Sequence, residues 1–227
     1  MLIATSLAAA LIASSAFVPA GAAESPATRS TPPIIVNVSA PGISPSLVKI
    51  MLAETDAIWR GSGIGFSWRQ AAREVVPYSR ISESGPYLPA TLRVVVGNEP
   101  GAARGETRLP LGWIVFDDVQ MPEQEIHVSY ANAMQFIRSA RVVVGIVEQM
   151  PAAQREWLLG RAMGRALAHE LGHYLLASKE HTARGLMKAS RTASEFFTVD
   201  NRAFVIEPAQ RRLMVARLRG EGLIARR

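Results

Sequence analysis

The sequence predicts an α+β domain: a mixed, twisted sheet carrying one long helix, with a further helix towards the C-terminus. Two observations lead there. Five short runs, IIVNVSA, IGFSWR, TLRVVVG, LGWIVF and EIHVSY, alternate apolar side chains or string β-branched ones together, and turn-forming residues bound them. Residues 152–177 then contain no proline, are rich in Ala, Leu and Arg, and repeat at helical spacing.

The first 23 residues carry no charged side chain, are apolar from Leu2 to Val18 and end in small residues, with cleavage expected after Ala22 or Ala23. They read as a secretory signal, so a secreted or periplasmic location is expected. Retention as a membrane anchor is the rival, and the short apolar run without a charged stop-transfer flank speaks against it. Residues 24–33, ESPATRSTPP, are polar and rich in proline, as a poorly ordered linker is. Residues 34–227 suffice for a single domain with one core and are short for two.

Within that domain, residues 34–40 form the first strand, and Pro41-Gly42 ends it. Pro45 suits a first helical position, and Leu47, Ile50, Met51, Ile58 and Trp59 make an apolar stripe that Gly61 and Gly63 stop. Alternating Ile64, Phe66 and Trp68, then Leu92, Val94 and Val96, mark two more strands. LGWIVF and EIHVSY continue the sheet as neighbours, and the acidic, proline-bearing DDVQMPEQ between them predicts a wide connection. NAMQFIRSARVVVGIVEQMP is compatible with helix or strand until Pro151 ends it.

The long helix has two informative stripes. Gly160, Gly164, Ala168 and Gly172 are small and four apart, whereas Met163, Leu167, Leu171 and Leu175 are bulky. Each helical glycine costs roughly 1 kcal/mol against alanine, so close approach of a sheet or another helix is expected to offset them. EPAQRRLMVARLRGEG reads as a last amphipathic helix starting near Glu207 and Pro208.

Composition narrows the chemistry. With no Cys, the chain has no disulfide and no thiolate metal site, so any metal must sit on His, Asp or Glu. The net charge of +6 comes almost wholly from Arg, Lys49, Lys179 and Lys188 being the lysines, and no basic cluster interleaved with aromatics is present. A specific nucleic-acid partner is therefore not expected, nor a membrane contact unless the N-terminal segment is retained.

Three of the four histidines fall within LAHELGHYLLASKEHTARGLMKAS. On a helix His169 and His173, four apart, project from one face and are spaced to share one metal ion, while Glu170 sits one step round, within reach of a water there. The apolar setting argues against two solvated surface histidines, because buried imidazoles need partners. A catalytic site generally takes a third protein ligand, and His181 is the nearest candidate. Were the helix to continue, His181 would lie about 12 Å further along its axis, so the chain must leave the helix within ASKEH and fold back.

The run from His169 to Met187 resembles the zinc-binding region of metzincin-type metalloproteases, whose motif is HExxHxxGxxH followed by a Met-containing turn. His169, Glu170 and His173 match residue for residue, and Gly185-Leu186-Met187 resembles the Met-turn. The motif's glycine position holds Leu176 and its third-histidine position Lys179, with His181 two residues beyond. The resemblance implies a zincin-like catalytic domain with one catalytic Zn2+ on His169, His173 and His181, and Met187 below the ligands. It also implies peptide-bond hydrolysis by a zinc-activated water, with Glu170 as general base and a peptide or protein as substrate.

Alternatives stay open at this point. Gluzincin-type proteases take their third ligand from a downstream Glu, and Glu195 lies twenty-two residues after His173, although that scheme leaves His181 and Met187 unexplained. Glu180 is expected to be solvated, His127 to be a partly buried strand residue and Tyr174 to be packing. An extended substrate is expected to lie against LGWIVF or EIHVSY. A non-catalytic exported binding protein with a structural zinc is the rival function, and Glu170 separates the two, since a structural site needs no base.

Overall fold

The computed structural model describes residues 33–70, 91–99, 110–118 and 121–220, so the expected signal segment, and all of the expected linker but Pro33, lie outside the described residues. Among the described residues no helix is long and apolar enough to cross a membrane.

β1 (Ile34–Ser39) leads through α1 (Pro45–Trp59) to β2 (Phe66–Gln70), which lies parallel to it. β3 (Thr91–Gly97) pairs parallel with the other side of β1, and β5 (Met121–Ser129) pairs parallel with β3. β4 (Gly112–Asp118) runs antiparallel to β5 and forms the edge, giving the order β2-β1-β3-β5-β4. The architecture is thus α+β with a five-stranded mixed sheet.

Strand alternation decides which face is buried. Val36, Val38, Leu92, Val94, Val96, Ile126 and Val128 point into one core with Leu47 and Met51 of α1, while Ile35 and Asn37 on the opposite face stay partly exposed. The same core takes the bulky stripe of α4 (Ala152–Leu176), in which Met163, Leu167, Leu171 and Leu175 are fully buried. The small stripe meets α1 as expected. A Cβ at Gly160 would lie 2.5 Å from Ile50 Cγ2, and one at Gly164 2.5 Å from the Met51 carbonyl oxygen.

Two segments differ from, or go beyond, what the sequence predicts. The connection between β4 and β5 is short, because β4 runs on to Asp118 and β5 begins at Met121, with Asp118 opposite Met121. Pro122 and its acidic neighbours are tolerated there because the β3 ladder begins only at Glu125, so this stretch of β5 pairs with β4 alone, through a shifted register. The ambiguous segment is helical: α2 (Tyr130–Ser139), capped by the Ser129 hydroxyl accepting from the Asn132 amide, then α3 (Arg141–Val144) and a 3-10 turn over Val147–Gln149. VVV finds no strand to pair with among the described residues, and Val142 is 94% exposed.

Beyond α4 come α5 (Ala193–Phe197) and α6 (Pro208–Leu218), the latter starting where expected under a Glu207/Gln210 capping box.

Candidate metal centre

His169 and His173 stand on the last two turns of α4, and the helix ends where the chemistry requires. Ala177 adopts the left-handed conformation at φ 46° and ψ 50°, one residue after the position at which the metzincin motif has glycine. The chain then leaves the helix axis and brings His181 back to the helix, as the folding-back argument requires. His181 Nε2 lies 3.3 Å from His169 Nε2, which lies 3.0 Å from His173 Nε2, and one ligand nitrogen from each of the three rings falls in a cluster no wider than 4.8 Å.

Hydrogen bonds fix the ring states. His169 Nδ1–H donates to the Leu186 carbonyl at 2.8 Å, and His173 Nδ1–H donates to the Ser178 carbonyl at 2.7 Å. A carbonyl oxygen only accepts, so both protons are on Nδ1 and both Nε2 atoms present lone pairs to each other. Lone pairs meeting at 3.0 Å repel unless a cation sits among them. Two nitrogens each about 2.05 Å from a tetrahedral ion are about 3.3 Å apart, so the observed spacing fits a metal. Burial, then the neighbouring His173, holds His169 down at about 4, and burial also lowers His173, so both rings favour the neutral form at pH 7, the form that could hold a metal. Imidazole donors suit zinc and also copper, iron and nickel.

The turn at Gly185-Leu186-Met187 supports the ligands from below. Gly185 takes φ 71° and has no room for a side chain, since a Cβ would lie 2.7 Å from the Val205 carbonyl oxygen. Leu186 supplies the carbonyl that orients His169, and its amide donates to the Val205 carbonyl at 2.8 Å. Met187 is fully buried, with its sulfur against the Cα of Gly172, where any added Cβ would collide with it. The third helical glycine is thus explained by a turn rather than by a sheet or helix.

Glu170 faces the same cleft as the imidazoles, a depression of about 800 Å³ walled on the far side by Leu111, Gly112, Trp113, Ile114 and Phe116. Of the two strands considered as a wall, β4 therefore supplies it. Gly112 makes room for the carboxylate, since a Cβ there would lie 3.1 Å from Glu170 Cγ. Burial alone pushes Glu170 up to about 8 in the metal-free protein.

No motif marks the residues that hold this helix in place. Arg165 is fully buried, donating to Glu54 of α1 at 2.7 Å and to the carbonyls of Glu195, Phe196, Thr198 and Asp200 at 2.8 to 3.0 Å. Arg161, one turn earlier, donates to the carbonyls of Phe197 and Thr198. The readable signal is a Glu set among the apolar residues of α1 and two Arg four apart in an otherwise buried helix.

The remaining candidates lie elsewhere. Glu195 closes the capping box of α5 and pairs with Lys188 at 2.8 Å; that lysine and the Thr192 amide hold its carboxyl down at about 2, and it is not part of the histidine cluster. Glu180 is exposed, and His127 stacks on Trp113 at 5.0 Å with Glu125 3.3 Å away. Tyr174 is buried in the core. The sequence matches no protein-family model and no curated protein.

Proposed function

We propose that this protein is an exported zinc-dependent peptidase of the metzincin type, hydrolysing peptide bonds in the cleft between α4 and β4. The observation that carries the proposal is the placing of Glu170 beside three convergent imidazoles in an open cleft. A structural metal site is closed and has no use for a carboxylate that is not a ligand. Export rests on the uncharged apolar segment at residues 1–23.

His169, His173 and His181 would hold the metal. Bound there, zinc supplies Lewis acidity, making water a nucleophile near neutral pH and polarising the scissile carbonyl. Glu170 accepts the proton of the attacking water and delivers it to the leaving amine as the C–N bond breaks and the C–O bond forms. The Leu186 and Ser178 carbonyls keep two imidazoles in the ligating tautomer. Among the described residues β4 is the edge strand on this side of the sheet, along which an extended peptide would add like a further strand.

The test is cleavage of casein by zinc-loaded protein. Cleavage should stop on chelation and in Glu170→Gln, while that variant still carries about one zinc per chain. Protein that binds zinc but gives no chelator-sensitive cleavage would favour a structural site.

A further inference from the structure

Lys179 and His181 are two residues apart in the irregular segment that leaves α4. Both line the cleft, whereas Glu180 between them does not. The bond from His173 to the Ser178 carbonyl pins the start of this segment, so the lysine is placed by the same contact that orients a ligand. Its ammonium stands 5.1 Å from the centroid of the Phe116 ring on β4, spanning the cleft from the helix exit to the edge strand.

Charge around the cleft is unevenly balanced. Arg165 is paired with Glu54 at 2.7 Å, Lys188 with Glu195 at 2.8 Å, and Arg191 with Glu195 at 3.7 Å. Among the described residues no carboxylate lies within ion-pair distance of Lys179, and Glu170 alone contributes a carboxylate to the cleft lining. Two residues of chain span at most about 7 Å, so the backbones of Lys179 and His181 lie within that distance. The ammonium therefore falls within one or two substrate residues of a carbonyl held at the histidines.

We infer that Lys179 selects substrates bearing a carboxylate next to the scissile bond, and this rests on the peptidase reading. The carboxylate is either an Asp or Glu side chain or the C-terminus of a short peptide. The Phe116 ring, 5.1 Å away, favours an ammonium held over the cleft, where an incoming anion would meet it.

The experiment compares matched fluorogenic peptides, Glu against Gln beside the cleavage point and free acid against C-terminal amide. They are cleaved by zinc-loaded wild type, Lys179→Ala and Lys179→Glu, with zinc content checked in each. The same peptides are bound, by fluorescence anisotropy, to the zinc-loaded Glu170→Gln protein with and without Lys179→Glu. Wild type should favour the carboxylate-bearing peptides about 2- to 5-fold in kcat/KM. That preference should vanish in Lys179→Ala, reverse in Lys179→Glu and shrink with added salt. A preference confined to the free-acid pair assigns the terminal carboxylate, and one confined to the Glu/Gln pair assigns the side chain. Equal use of both members, or a preference that survives Lys179→Glu, overturns the inference. If nothing is cleaved, the peptidase reading fails, and binding decides alone: loss of anionic preference on Lys179→Glu supports recognition by Lys179, and no preference overturns it.

Discussion

Gly112 on β4 and Glu170 on α4 fit so closely that a Cβ on the glycine would stand 3.1 Å from the Glu170 Cγ. The same added atom would lie 3.1 Å from the His127 carbonyl oxygen, so the strand cannot yield and the carboxylate must. Gly112→Ala is therefore expected to displace the base without touching the ligands. Turnover should fall about tenfold or more, as for a misplaced general base, with zinc affinity changed less than about threefold. Parallel kinetics and zinc titration check this, and unaltered turnover would contradict it.

Gly172 and Met187 are coupled in the same steric sense, but through the floor of the site. Gly172→Ala should destabilise the fold by about 1–3 kcal/mol through overpacking, and Met187→Ala by about 2–4 kcal/mol through the cavity it leaves. The double variant should lose less than the sum, since each change relieves the other. Urea unfolding of the four proteins reads the coupling, and strict additivity would show that the two residues do not press on each other.

Ala177 is the non-glycine residue with positive φ among the described residues. Left-handed backbone is costly for an L side chain and free for glycine, so Ala177→Gly should raise stability by about 0.5–1 kcal/mol. Zinc affinity should not change, because the path of the chain to His181 is unaltered. A lower melting temperature would contradict the assigned helix exit.

The metal-free protein should lose stability at both ends of the pH range. Glu170 has its folded pKa raised from 4.5 to about 8, so its contribution is fully present below pH 4.5 and is lost as pH rises through about 8. His169 has its folded pKa depressed from 6.5 to about 4, so its contribution is present above pH 6.5 and is lost as pH falls through about 4. Glu170→Gln should remove the alkaline loss, gaining ~1–3 kcal/mol over wild type at pH 9 and little at pH 5. Unfolding in chelator at both pH values measures it, and an equal alkaline loss in the variant would sink the assignment.

The sheet and the long helix were legible because Val36, Leu92 and Ile126 alternate cleanly and the stripe through Met163 and Leu171 repeats at helical spacing. Local pattern could not settle RVVVG, whose β-branched residues have strand propensity but no partner strand, nor the proline-bearing start of β5, which exists because β4 alone pairs with it. At the site, His169, His173 and Glu170, as two candidate ligands and the proposed base, follow from spacing on one helix. His181 follows only from the need to fold back, which the turn at Ala177 supplies. Arg165 left only the faint signal of a charged residue in a buried helix and Gly112 left none, because their partners Glu54, Glu195 and Glu170 lie thirty or more positions away in the chain.

The central claim is that three imidazoles, the third from His181, form one metal centre. Competition titration of zinc against a chromophoric chelator, on wild type, His181→Ala and Glu195→Gln, tests it most directly. The account predicts one zinc per chain in wild type, at least a 100-fold loss of affinity in His181→Ala, and unchanged binding in Glu195→Gln. Unchanged affinity in His181→Ala, or a comparable loss in Glu195→Gln, would contradict it.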